Sequence, residues 1–187
     1  MIRYYITDRK QLGGSRALLD CIARNLGDRV DMIQIREKDL RPRELAELVS
    51  AALRLPNPGG AKILVNERID VALASGAHGV HLPGSSPAPS KLRSVVPTGF
   101  VFGVSCHQRE EVVTAEQEGA DFLVFGPVFA PISKATFAPP RGIDELHAVA
   151  MSVSIPVLAL GGITHDNASL CVDAGASGVA GISLFQL

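Results

Sequence analysis

The sequence predicts an α/β fold: eight parallel strands alternate with helices and close into a (β/α)8 barrel with a truncated or absent final helix. Three observations carry this reading. First, the segments Ala74-Ser75-Gly76-Ala77-His78-Gly79-Val80, Glu116-Gln117-Glu118-Gly119-Ala120-Asp121-Phe122 and Val172-Asp173-Ala174-Gly175-Ala176-Ser177-Gly178-Val179 share one pattern. In each, a helix-like stretch stops at a glycine and an apolar run follows at once. Glycine supplies the left-handed conformation that ends a helix, and the run is short enough for a buried strand. Second, eight such apolar runs can be counted. Third, each run is apolar almost throughout, as strands covered on both faces are.

In chain order, Ile2–Ile6 reads as the first strand and Leu12–Leu26 as a helix ended by Gly27. Val30–Arg36 is the second strand, and the helix Pro42–Leu55 after it has apolar residues at Leu45, Leu48, Val49, Ala52 and Leu53, one helical face. Lys62–Val65 is the third strand, with a short helix through Ala74. Gly79–Leu82 is the fourth, before a proline-opened helix Pro89–Val96. Phe100–Val104 and a helix from Gln108 to Glu118 follow, then Asp121–Phe125 as the sixth strand. A proline-rich stretch, Gly126–Gly142, precedes the helix Ile143–Met151. Pro156–Leu160, a helix Asp166–Ala174 and Gly178–Ile182 complete the series. A doubly wound open sheet is the structural alternative to this TIM barrel. With little chain after the eighth strand, apolar surface beside the first and seventh helices is expected to need a partner subunit.

The 187 residues suffice for a single domain, 1–187, and 47% hydrophobic against 20% charged residues describes a well-filled core. A formal net charge of −1 gives no reason to expect nucleic acid or an anionic membrane as partner. There is neither an apolar run of membrane-spanning length nor a signal peptide before the first strand. Cys21, Cys106 and Cys171 lack pairing or metal spacing, so free thiols in a cytoplasmic protein are expected.

In a barrel of this kind the chemistry lies where strands end. In Gln34-Ile35-Arg36-Glu37-Lys38, alternation puts Gln34, Arg36 and Lys38 on one face, shared with Met32 and therefore directed inward. Two cations at a barrel mouth suit a phosphate or diphosphate. The competing reading is an internal ion-pair network with Glu37 or Asp39. After the third strand, Asn66 and Glu67 suit either a hydrated Mg2+ or a helix cap. Ser105, Cys106 and His107 follow the fifth strand. Ser133 and Lys134 lie in the long loop after the sixth, where they could close a donor set around an anion. Gly161 and Gly162 let backbone approach a ligand closely after the seventh strand, or simply form a tight turn. Ile182 and Ser183 offer the same at the eighth.

With these residues assembled, the chain resembles the thiamine phosphate synthase family (thiamine-phosphate pyrophosphorylases), whose superfamily includes the thiazole tautomerases. The resemblance rests on Tyr4-Tyr5-Ile6-Thr7-Asp8, Gln34-x-Arg36-x-Lys38, Asn66-Glu67-Arg68-x-Asp70-x-Ala72 and Gly79-Val80-His81-Leu82. It continues through Gly103-Val104-Ser105, Gly126-Pro127-Val128-Phe129, Gly161-Gly162-Ile163 and Gly175-Ala176-x-Gly178-Val179. It implies a cytoplasmic transferase, commonly a homodimer, that joins hydroxymethylpyrimidine diphosphate to a thiazole phosphate and releases diphosphate. Gln34, Arg36 and Lys38 would bind the pyrimidine diphosphate, with Asn66, Ser105 and Lys134 completing that shell. Gly162, Ile182 and Ser183 would hold the thiazole phosphate, and Glu67 would serve Mg2+. The chain departs from the family pattern in three places. Glu67 stands where the synthases carry aspartate, Pro83-Gly84-Ser85-Ser86 has no acid, and the lid keeps only Ser133 and Lys134 of its usual donors. The proline-serine loop looks like the tautomerase branch, yet Pro127 occupies the place of the tautomerase histidine, leaving His107 or Cys106 as substitute base. A thiazole tautomerase-like isomerase and a non-catalytic binder of thiamine precursors are the alternative readings.

Overall fold

The computed structural model describes residues 1–130 and 139–186. Its strands are β1 (Ile2–Ile6), β2 (Met32–Ile35), β3 (Lys62–Asn66), β4 (Gly79–Pro83), β5 (Val101–Cys106), β6 (Phe122–Phe125), β7 (Val157–Leu160) and β8 (Gly178–Gly181). All neighbours pair in parallel, and β8 returns to β1 with Tyr4 opposite Ala180, closing the barrel. The open-sheet alternative is thereby excluded.

Around the barrel run α1 (Arg9–Leu12), α2 (Ser15–Gly27), α3 (Pro42–Leu53), α4 (Ile69–Ser75), α5 (Pro89–Leu92), α6 (Arg109–Gln117), α7 (Gly142–Ala150), α8 (Ala168–Asp173) and α9 (Ser183–Gln186). The single helix expected over Leu12–Leu26 is two. Asp8 caps α1 by accepting from the backbone N–H groups of Lys10 and Gln11, and Gly13 ends it at φ 88°. The helix expected over Pro89–Val96 closes with a 3-10 turn after Leu92. Arg93 fills the space this leaves. Its guanidinium lies 4.6 Å over the Phe102 ring and bonds the Phe100 and Gly119 carbonyls and the Asp121 carboxylate.

The barrel sorts side chains by alternation. Outward residues such as Ile33, Ile35, Ile63, Val65, Phe102 and Leu123 pack against the helices. Inward residues Tyr4, Ile6, Met32, Leu64, Phe122, Val124, Leu158 and Ala180 fill the interior. The expectation of apolar surface beside the first long helix is not met, because Leu18, Cys21, Ile22 and Leu26 of α2 are buried. The short α9 contributes to that cover: its Phe185 carbonyl accepts from Arg24 and Asn25 of α2. Exposed large apolar residues instead include Met151, Leu170 and Val172, at and after α7 and on α8. No helix among the described residues is long and apolar enough to cross a membrane.

The interior is not wholly apolar. Gln34 donates its amide N–H to the Tyr4 hydroxyl at 2.9 Å, Tyr4 lies 3.3 Å from His81 Nδ1, and His81 Nε2 lies 2.8 Å from Ser105 Oγ. This string spans β2, β1, β4 and β5. The Tyr4 ring meets Phe122 edge to face at 5.3 Å. Gly103 makes room for the packing: a Cβ there would lie 2.3 Å from the Phe122 ring and 2.6 Å from His81 Nδ1. Burial, helped by the charge of Arg36, holds the His81 imidazole down to a pKa of about 3.

Two outcomes follow. Gly103→Ala should destabilise the fold by about 1–3 kcal/mol through overpacking, lowering Tm by about 2–4 °C per kcal/mol in a chain of this size. His81 should remain neutral in the folded protein at pH 5, read from its imidazole NMR shifts. Its contribution to stability is present above the unfolded-state value of about 6.5 and is lost as pH falls from there towards 3, because only the unfolded chain binds the proton in that window. Replacing His81 with Gln should therefore flatten the acid side of the stability profile.

Candidate functional site at the barrel mouth

Gln34 points inward from β2, and Arg36 and Lys38 follow beyond the strand's end. Gln34 is buried in the string with Tyr4, whereas Arg36 and Lys38 have passed the strand's last residue and are exposed. The ion-pair network with Glu37 or Asp39 is not what forms. Alternation turns Glu37 to the other side, where it accepts from Thr7 and Arg9, and Asp39 pairs with Arg9 and Lys10. The Arg36 guanidinium makes no ion pair among the described residues, and its charge is felt at both His81 and Glu67.

Lys38 does meet one of the protein's own acids: its Nζ lies 2.9 Å from Glu67 Oε1, with both side chains about half exposed. Lys38, with smaller contributions from Asn66 and Arg36, holds the Glu67 carboxyl below the usual carboxylate range. An exposed pair of this kind contributes little to stability and opens easily. Asn66 ends β3 in register with His81, and Glu67 adopts φ 60°, left-handed backbone that is uncommon for a residue with a side chain. Asn66 keeps the inward parity of Leu64, and Lys38 and Glu67 line a cleft at the ends of β2 and β3 with Ile35, Leu40 and Leu45.

Ser105 points inward from β5 and receives the end of the polar string. Which way the two bonds at His81 run is set by which ring nitrogen carries the proton. The neighbour of Ser105, Cys106, has the opposite parity: it is buried in the strand–helix layer, where burial pushes the thiol up to about 12. That position rules out Cys106 as a base in the mouth. His107 is exposed, with Nδ1 2.7 Å from the Gly126 carbonyl and its backbone N–H bonded to Glu111.

Gly161 and Gly162 have φ 97° and 62°, and the space above them is filled by the protein itself. A Cβ on Gly161 would lie 2.6 Å from Pro127 Cα, and one on Gly162 would lie 2.4 Å from the Ala130 carbonyl oxygen. The pair thus lets the loop after β6 pack onto the end of β7. Ile182 packs against the barrel interior and Ser183 opens α9. Gln186 of that helix ties it to the end of β1 by accepting from Tyr5 and from the Asp8 backbone N–H. Ser133 and Lys134 lie outside the described residues.

Tyr4 and His81 are the inner-surface residues to which the sequence reading assigned no role. A period-two signal was available for both. Val80 and Leu82 are apolar and face the helices, which leaves His81 as the polar residue of inner parity on β4.

The chain is 47% identical over 180 residues to the Geobacter sulfurreducens protein named "Putative thiamine-phosphate synthase", covering 96% of this chain and 84% of that one. It is 39% identical to the thiamine-phosphate synthase of Moorella thermoacetica over 180 residues, 96% and 85% of the two chains. Among solved structures, the thiamine phosphate pyrophosphorylase from Pyrococcus furiosus superposes with a TM-score of 0.85 at 34% identity, over 97% of this chain and 85% of that one. Residues 3–185 match the thiamine monophosphate synthase family. The chain therefore belongs to the thiamine monophosphate synthase family.

Proposed function

We propose that this protein is a transferase of thiamine biosynthesis that couples hydroxymethylpyrimidine diphosphate to a thiazole phosphate and releases diphosphate. The observation that carries the reading is the Arg36 and Lys38 pair at the mouth, directly above the string Gln34–Tyr4–His81–Ser105. Arg36 is free of internal ion pairs among the described residues, and Lys38 has only the exposed Glu67 to give up. Both can therefore turn to a diphosphate.

In the reaction, the bond from the pyrimidine methylene carbon to the diphosphate oxygen breaks, and its electrons leave on diphosphate. The methylene cation is stabilised by the ring, and the thiazole nitrogen closes the new C–N bond with its lone pair. No group has to remove a proton. The work of the site is to stabilise charge on the leaving group, which cations and hydrogen-bond donors do. In this proposal Arg36 and Lys38 supply the charge, and the Ser105 hydroxyl and the Asn66 amide supply polar contacts. Below them, the neutral His81 leaves no competing cation in the interior. Lys134 and Ser133, from the loop after β6, complete the anion shell in this proposal. Gly162, Ile182 and Ser183 hold the thiazole phosphate.

Among the described residues no group of three or more His, Cys, Asp or Glu side chains converges to hold a metal. What the mouth offers is one carboxylate, Glu67, in an exposed and separable pair. Glu67 is the residue that would hold Mg2+ arriving as the diphosphate complex. When bound, the ion would supply further neutralisation of the leaving group. Homodimerisation belongs to the same proposal, and the exposed Met151, Leu170 and Val172 support it.

Purified protein should release diphosphate only when both precursors and Mg2+ are present, and no release at any Mg2+ concentration would overturn the assignment. Arg36→Ala should raise KM for the pyrimidine diphosphate by about 10- to 100-fold, the value of a charge-assisted contact of about 1.5–3 kcal/mol. KM for the thiazole phosphate should move far less. Ser105→Ala should lower kcat by about tenfold or more if its donor acts on charge developing in the transition state.

A further inference from the structure

We propose that Glu37, acting through Thr7, is a positioning residue that presents Arg36 and Lys38 to the mouth. The inference rests on the assignment of those two cations as diphosphate ligands. Its basis is the backbone beyond β2. The ladder between β1 and β2 ends at Ile6 opposite Gln34, followed by one bond from the Thr7 N–H to the Gln34 carbonyl. On its other side β2 stays paired with β3 as far as Ile35, opposite Val65; beyond that no strand partner remains to hold Arg36, and a turn follows at once, closed by the Leu40 N–H on the Glu37 carbonyl.

Side chains take over from the ladder. Thr7, fully buried, accepts the Arg36 backbone N–H on Oγ1 at 2.9 Å and donates its hydroxyl proton to Glu37 Oε1 at 2.6 Å. The same Glu37 carboxylate, 3% exposed, accepts the Arg9 backbone N–H at 3.0 Å. The Arg36 backbone, through Thr7, and the start of α1 are thereby fastened to one buried carboxylate. Burial raises the Glu37 pKa while these bonds oppose it, so the carboxylate's acceptor capacity is spent on the β1 end. The Arg9 guanidinium bonds Asp39 at 2.8 Å and approaches Glu37 only at 3.8 Å. A negative charge sits between two functional cations in sequence and neutralises neither.

The test uses kinetics with each substrate varied in turn, together with titration of inorganic diphosphate, on Thr7→Val, Thr7→Ser and Glu37→Ala. Thr7→Val keeps the shape and removes the hydroxyl. It should raise KM for the pyrimidine diphosphate and weaken inorganic diphosphate by about tenfold, about one net hydrogen bond, with KM for the thiazole phosphate within about twofold. Thr7→Ser, which restores the hydroxyl, should return both values close to wild type. Glu37→Ala should match Thr7→Val or exceed it; if it fails to fold, the Thr7 pair decides. A Thr7→Val protein that loses melting temperature while both KM values and diphosphate affinity stay unchanged would overturn the inference, since a merely structural role does just that. Arg36→Ala separates the two levels. If it binds diphosphate like wild type, the ligand assignment itself falls; if it loses binding while Thr7→Val does not, only the positioning role falls.

Discussion

The two-residue period of β2 is the constraint on which the site depends. Inside the barrel the period sends Met32 and Gln34 to the interior and Ile33 and Ile35 to the helices. Just beyond Ile35, charge is separated by burial, with Arg36 and Lys38 exposed and Glu37 buried against Thr7. A slip of one residue would exchange the sets, placing a carboxylate at the mouth and two cations against apolar neighbours. Closure of the barrel forbids that slip, because every strand is held in register from both sides.

Beneath the mouth, the interior holds polar groups without stranding them. Four side chains from four strands share hydrogen bonds in series, and the aromatic faces of Tyr4, Phe122 and His81 pack about them. Such a network is costly when incomplete and specifying when complete. Its neutrality suits a site whose charge is concentrated at the rim: an imidazolium below Arg36 would compete for the anion or repel the guanidinium. Gly103 is part of the same solution, since a side chain there would displace His81 or Phe122.

Much of the architecture was legible because barrel strands declare themselves locally. The eight apolar runs became eight strands with ends shifted by a residue or two. β5 runs to Cys106 rather than Val104, since Ser105 and Cys106 continue its pairing with β6. The helix expected from Leu12 breaks at Gly13 because Asp8 and Gly13 cap a separate turn, a competition between local signals that hydrophobic spacing does not register. At the site, the inward parity of Gln34 could be read directly. The pairing of Lys38 with Glu67 could not, for it joins residues 29 apart in sequence through the approach of two strand ends. Nor could the use of Gly161 and Gly162 by the loop after β6, which depends on how that loop lies across β7.

By itself, the order of residues determined the number of strands, the face on which each side chain stands and the family to which the chain belongs, because all three follow from short-range periodicity and contiguous motifs. Tertiary structure alone decided which charges neutralise one another. Glu37 and Asp39 lie next to Arg36 and Lys38 in the chain, yet they serve Thr7, Arg9 and Lys10 across the β1–β2 seam. The reason is geometric: neighbours along an extended chain point to opposite faces, so a charge finds its partner on the adjacent strand rather than beside it in sequence.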